Sequence, residues 1–290
     1  MASESEPLRD LSGRLDLCAI NTATLGHKED IRAVVEAVAR HGFGGIAPWR
    51  RDLEGQGVAA IARQIRDAGL AVTGYCRSTA FPASSAAGAA AAVEENRRAL
   101  RDAATLGARC FVLVVGGLPA GSRNLPAARA QVQDGVGALL EEARQLGVVL
   151  ALEPLHPVYA ADRSCLCTLT EALDLCDVLD PGREGGLGIA ADVYHLWWDA
   201  ALAEELRRAG PDRRLAAFHV CDWLVPVTDV LTNRGMMGDG VIDIPAIRGA
   251  VEQAGYDGLV EVEIFSARDW WLRDRDETLA TCAARLQTVC

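Results

Sequence analysis

Lysine is almost missing from this chain: arginine supplies 28 of its 29 basic residues, and Lys28 is the only lysine. Schiff-base chemistry therefore has one candidate nucleophile. Lys28 falls in the loop after the first strand-like run, not inside a strand where burial would depress its pKa, so that mechanism is discounted. An excess of positive charge is lacking too. The formal net charge of −11 and a pI near 5.0 oppose binding a phosphate backbone, which releases counterions only to a basic surface. No apolar run approaches the roughly 20 residues of a membrane span, and the opening MASESEPLRD is polar and acidic, unlike a secretory leader. A soluble cytoplasmic protein with no nucleic-acid or membrane partner is expected.

Paired cysteines are also wanting. The nine cysteines are odd in number, scattered, and form no CxxC pair, which points to reduced thiols in a reducing compartment. Cys18, Cys76, Cys110 and Cys176 lie in apolar runs and read as small core residues. Cys165 and Cys167 read as packed loop thiols. The first strand-to-helix turn, Asn21 to Gly26, lacks the GxGxxG spacing of a dinucleotide cradle, and Gly238-Asp239-Gly240 and Gly116-Gly117 read as turn signals.

What is present is a strand, loop and helix repeated eight times. Strands are predicted at 14–21, 43–49, 70–76, 110–116, 148–153, 187–192, 214–220 and 259–265, each short and apolar, as a parallel strand buried on both faces should be. Helices are predicted at 29–41, 57–68, 87–106, 126–146, 168–179, 198–209, 243–254 and 274–288. Many end at a glycine, as at Gly107 and Gly147. The pattern predicts an α/β fold of one domain, a closed (β/α)₈ TIM barrel over residues 1–290, with 1–13 as a polar N-terminal extension. Only the loop after strand seven, about 221–241, is long, and its Trp223, Met236 and Met237 predict an ordered one.

Barrel strands converge at their C-terminal ends. Glu153, Asp192, His219 and Glu263 each end one of the last four strands, so three carboxylates and an imidazole are expected to meet there as metal ligands. Burying three acids without a cation would be very costly. An oxygen-rich shell with one nitrogen suits Mn²⁺ first, with Mg²⁺, Co²⁺, Fe²⁺ or Zn²⁺ as alternatives. Glu261 lies two residues before Glu263 on the same face, roughly 7 Å lower; it reads as a lower-layer charge needing a hydrogen-bonded partner, the lesser alternative being that it is the ligand in place of Glu263.

His195, three residues past Asp192, is placed to act on substrate as acid, base or electrophile. His156, three past Glu153, is either a substrate contact or a loop-ordering residue. All six tryptophans follow strand ends. Trp49 and Trp223 are the candidates for stacking on a carbohydrate-like ligand, and the others suit a subunit interface. Arg77 and Arg234 are the arginines best placed to bind substrate hydroxyls or polarise a carbonyl.

On Leu152-Glu153-Pro154-Leu155-His156, Asp192-Val193-Tyr194-His195, Phe218-His219-Val220-Cys221-Asp222 and Met237-Gly238-Asp239-Gly240, the chain resembles the sugar phosphate isomerase/epimerase superfamily with a xylose-isomerase-like TIM barrel. The resemblance implies that Glu153 and Glu263 bind one divalent ion and exchange a proton beside a carbonyl, that Asp192 and His219 complete the shell, and that His195 contacts substrate. It also implies a homodimer or homotetramer. Ketose 3-epimerases carry a glutamate and an arginine where this chain has Tyr159 and Val225, and five histidines cannot supply the three-metal site of an endonuclease IV. The expected activity is divalent-metal-dependent isomerisation or epimerisation of a sugar, keto-sugar or cyclitol through a metal-stabilised enediolate. The alternatives are a lyase cleaving 3-keto glycosides by β-elimination and a non-catalytic sugar- or protein-binding barrel.

Overall fold

The computed structural model describes residues 8–290. Its strands are β1 (Cys18–Asn21), β2 (Gly45–Ala47), β3 (Ala71–Val72), β4 (Cys110–Leu113), β5 (Val149–Leu152), β6 (Leu187–Asp192), β7 (Leu215–Val220), β8 (Asp222–Trp223), β9 (Arg234–Gly235) and β10 (Val260–Val262). Eight of them form one parallel sheet in the order β3-β2-β1-β10-β7-β6-β5-β4. The sheet closes where Tyr75, just past β3, pairs with Phe111 of β4. The architecture is therefore the expected α/β barrel. Strand three is shorter than 70–76: its regular pairing stops at Val72 and resumes as single bridges, Tyr75 to Phe111 on one side and Cys76 to Trp49 on the other.

Around the barrel run α1 (Ile31–Arg40), α2 (Val58–Asp67), α3 (Ala86–Leu106), α4 (Leu125–Leu146), α5 (Leu169–Leu179), the short α6 (Val193–Leu196), α7 (Leu202–Ala209), α8 (Ile244–Gln253) and α9 (Arg275–Val289). Most of their starts are set by side chains that accept from orphan backbone N–H groups, among them Asp30, Ser85, Asn124, Thr168, Asp243 and Asp274. Gly107 and Gly147 end α3 and α4 in the left-handed region, at φ 71° and 69°. The helix expected at 198–209 begins only at Leu202, because the Asp199 carboxylate accepts from the Ala201 N–H and turns the chain first.

The extension expected at 1–13 falls partly outside the described residues. From Leu8 onward it is docked on the barrel: Leu11 is buried, and Arg9 pairs with Glu252 of α8 and donates to the Gly258 carbonyl. Among the described residues, no helix is long and apolar enough to cross a membrane.

The long segment after β7 is ordered, as its apolar residues predict. β8 and β9 form an antiparallel hairpin inside it. Its organiser is Asp222, whose Oδ1 accepts from the Trp223 and Ile242 N–H groups and whose Oδ2 accepts from those of Gly238 and Gly240. Glycine is required at 240, where a Cβ would lie 2.3 Å from the Trp223 carbonyl oxygen.

Candidate metal centre

Register places the four acid and imidazole side chains on one rim. Asp192 pairs with His219 across β6 and β7, Glu261 pairs with His219 across β10 and β7, and the Glu263 N–H donates to the Val220 carbonyl one step further up. Glu153, Asp192, His219 and Glu263 are all buried, and one ligand atom from each lies within 4.8 Å of the others. The structure thus brings together the four residues expected as ligands. Glu261 occupies the layer below. Its carboxylate accepts from Asn21 Nδ2 at 2.8 Å and Thr73 Oγ1 at 2.5 Å, and its Oε1 stands 3.4 Å from His219 Nε2.

Burial and mutual charge shift the ionisation of Glu263, His219 and Asp192 away from their ordinary values. Burial, and then the neighbouring Glu153 charge, pushes the Glu263 carboxyl up to about 8. Burial opposes charging His219, yet Glu261, Glu153 and Glu263 hold its imidazolium well above the ordinary range. Asp192 is held low against its burial by Arg234 and the two imidazoles. His219 Nδ1 is 3.0 Å from Glu153 Oε1, while its buried Nε2 points at the Glu261 carboxylate and makes no hydrogen bond among the described residues. Three buried carboxylates facing one imidazole fit a hard divalent ion in donor number and type.

Arg234 is the only guanidinium inside the cluster among the described residues. It sits on β9, buried, with Nη1 donating to Asp192 Oδ2 at 2.9 Å and Glu263 Oε2 at 3.1 Å. The rings of Tyr194 and Phe265 flank it at 4.5 and 4.7 Å. The hairpin is what delivers it to the rim. His195 lies beside it, with Nδ1 accepting from the His156 N–H at 3.2 Å and Nε2 standing 3.2 Å from Arg234 Nη2 and 3.6 Å from Asp192 Oδ2. Burial pushes its imidazolium down to about 3.

A narrow slot of about 20 Å³ reaches these groups and is lined by Trp49, Arg77, His195 and Arg234 as well as Glu153 and Glu263. Trp49 is held by its Nε1–H donating to Asn21 Oδ1 and its backbone N–H donating to Asp52. His156 and Trp223 stand elsewhere: they stack on each other at 5.0 Å, with Trp223 also against Tyr194, beside the slot and not in its lining. Phe265, Tyr159 and Arg163 line the slot without having been singled out as site residues by the sequence. Phe265 and Tyr159 carry no charge pattern, and Arg163 is one of many arginines.

A parallel eight-stranded barrel with an acid and imidazole cluster at the C-terminal ends of its strands defines the class: an α/β barrel whose site lies where barrel enzymes hold theirs. A model of the xylose isomerase-like TIM barrel family matches residues 35–285, and the chain belongs to that family. Among solved structures, protein SMc04130 from Sinorhizobium meliloti 1021 is 50% identical over 96% of this chain and 99% of its own, with a TM-score of 0.92. The IolI protein with a bound zinc atom is 19% identical over 94% and 97%, TM-score 0.79. A 3-keto-D-glucoside 4-epimerase, YcjR from E. coli, is 22% identical over 90% and 95%, TM-score 0.72. The last two show the shared fold. No curated protein matches this chain in sequence.

Proposed function

We propose that the protein is a divalent-metal-dependent isomerase or epimerase of a sugar, keto-sugar or cyclitol. The observation that carries this reading is the convergence of Glu153, Asp192, His219 and Glu263 within 4.8 Å at the rim of a xylose isomerase-like barrel. These four side chains would hold the ion, with Mn²⁺ the best match to three oxygens and one nitrogen. A bound dication polarises a carbonyl and stabilises the negative charge that develops when the adjacent carbon loses its proton. The named function of the YcjR neighbour, a keto-glucoside epimerase, is in keeping with this.

The protein's own groups supply the proton steps. Glu153 and Glu263 are the paired carboxyls that take the proton from one face and return it to the carbon. Burial and the Glu153 charge raise the Glu263 carboxyl to about 8 in the cluster without an ion, and a bound dication would favour its carboxylate, the form that accepts the proton. His195, a neutral ring beside the Arg234 guanidinium, contacts a substrate oxygen from the slot wall. Arg234, anchored on two of the ligand carboxylates, orients a second oxygen. Trp49 covers a sugar C–H face and excludes water.

Incubating the protein with keto-sugars in D₂O tests this. Deuterium enters the carbon next to the carbonyl, and EDTA stops the exchange. Release of an aglycone in place of deuterated sugar would transfer the same site to a lyase, and no exchange with any keto-sugar or cyclitol ketone would leave the isomerase reading without support.

A further inference from the structure

The chain spends its arginines on ion pairs, and two of them break the pattern. Arg77 and Arg163 make no side-chain hydrogen bond or ion pair among the described residues, although both are half-buried. Every other arginine without an ion pair there is exposed. Burying an unpaired guanidinium is costly, and the two stand close enough to repel each other. Burial, and then Arg163, holds the Arg77 guanidinium below its ordinary range.

Their position gives that cost a purpose. Outside the narrow slot lies an open cavity of about 590 Å³, formed by the loops that follow β2, β3, β4 and β5. Arg77, Arg163 and Trp49 are the residues that line both the slot and this cavity. Arg77 follows β3, and Arg163 is carried on the segment after β5 with its guanidinium 5.5 Å from the Tyr159 ring centroid. Ser78, Thr79, Glu54 and Asp162 also line the cavity. Arg50, on the same wall, is already paired with Glu95. A concentration of free positive charge in a protein of net charge −11 is a recognition feature.

We propose that Arg77 and Arg163 form an oxyanion-binding subsite, and that the substrate of the metal pocket carries a phosphate or carboxylate group on the end away from its reacting carbonyl. Two guanidinium forks suit a multidentate oxyanion and neutralise each other's repulsion when it binds. The inference rests on the isomerase reading and narrows its substrate to an acidic or phosphorylated carbonyl compound. The carbonyl end enters the slot, the carbon skeleton lies against Trp49, and the anion stays in the outer cavity. A neutral ketose would leave both half-buried guanidinium groups without a charged partner.

The test needs neither metal nor turnover. Inorganic phosphate and, separately, acetate are titrated calorimetrically into the EDTA-stripped protein at low ionic strength. At least one anion is expected to bind saturably in the millimolar range, and Arg77→Gln and Arg163→Gln each weaken it about tenfold or more, the loss typical of a charge-assisted hydrogen bond. Arg66→Gln, which removes an exposed guanidinium from α2, leaves the affinity unchanged. The variants at 77 and 163 melt no lower than the wild type, because each relieves a repulsion. Preference for phosphate or for acetate tells which group the substrate carries. The assignment is overturned if neither anion binds saturably below roughly 50 mM, or if either variant binds as the wild type does. Mn²⁺ titration of the same variants separates the two readings: intact metal binding with no anion site removes this inference alone.

Discussion

Glu153 and Glu263 divide the labour at the residue scale, since each is both a candidate ligand and a candidate proton carrier. Replacing either by Gln keeps an oxygen donor and removes the base. Exchange of the α-proton with D₂O is then expected to fall by about 10²–10⁴, the usual contribution of a positioned acid or base, while melting shows a folded protein. Glu261 has a different part. Its carboxylate, fixed by Asn21 and Thr73, faces His219 Nε2 from below and so orients the ring whose other nitrogen faces Glu153. Glu261→Gln is expected to weaken Mn²⁺ binding by about 10–100-fold, as loss of an orienting carboxylate behind a ligand histidine does. Unchanged Mn²⁺ affinity in a calorimetric titration would assign Glu261 to packing alone.

At the scale of elements, the hairpin of β8 and β9 decides whether the rim is complete, because it alone carries Arg234 to Asp192 and Glu263. Asp222 holds the hairpin through four backbone N–H groups. Asp222→Ala is expected to cost about 3 kcal/mol or more in urea unfolding, since buried donors are left without a charged acceptor. It should also slow exchange, as Arg234 loses its support. The hairpin shows what was legible in the chain and what was not. The eight strands could be read because barrel strands are short apolar runs between turn signals, and the four clustered rim residues because each ends such a run. Asp222 and the Met237 to Gly240 segment were visible as a motif, but their mutual contact spans some 16 residues and follows from no local periodicity. Arg163 was hidden for a plainer reason: only burial without a partner distinguishes it from its neighbours in composition. Trp223 and His156 were placed near the rim by their strands, yet which way a loop aromatic turns depends on packing that only the fold resolves.

For the molecule as a whole, the buried cluster ties stability to pH. The folded-state pKa of His219 is raised, so its contribution is full below the ordinary histidine value of 6.5 and is lost as pH climbs toward the folded value. Glu263, raised from 4.5 to about 8, likewise binds more protons folded than unfolded in that interval, so stability falls as pH rises through it. His195 has the opposite sign, with its imidazolium pushed down to about 3, and adds stability as pH rises only up to 6.5. Above 6.5 the first two act alone. The EDTA-stripped protein is therefore expected to melt at progressively lower temperature from pH 6.5 to 8 in scanning calorimetry. Saturating Mn²⁺ should reverse the slope, because the ion binds deprotonated ligands and stabilises the folded state by mass action. The same slope with and without the ion would separate the cluster from metal binding.

The most direct measurement is the stoichiometry and affinity of Mn²⁺ for the EDTA-stripped protein, made alongside His219→Ala and the double variant Glu153→Ala/Glu263→Ala. One tight site per chain, abolished in both variants while they remain folded, is the result that four residues converging within 4.8 Å predict. No saturable binding by the wild type, or a site that survives in both variants, would contradict it.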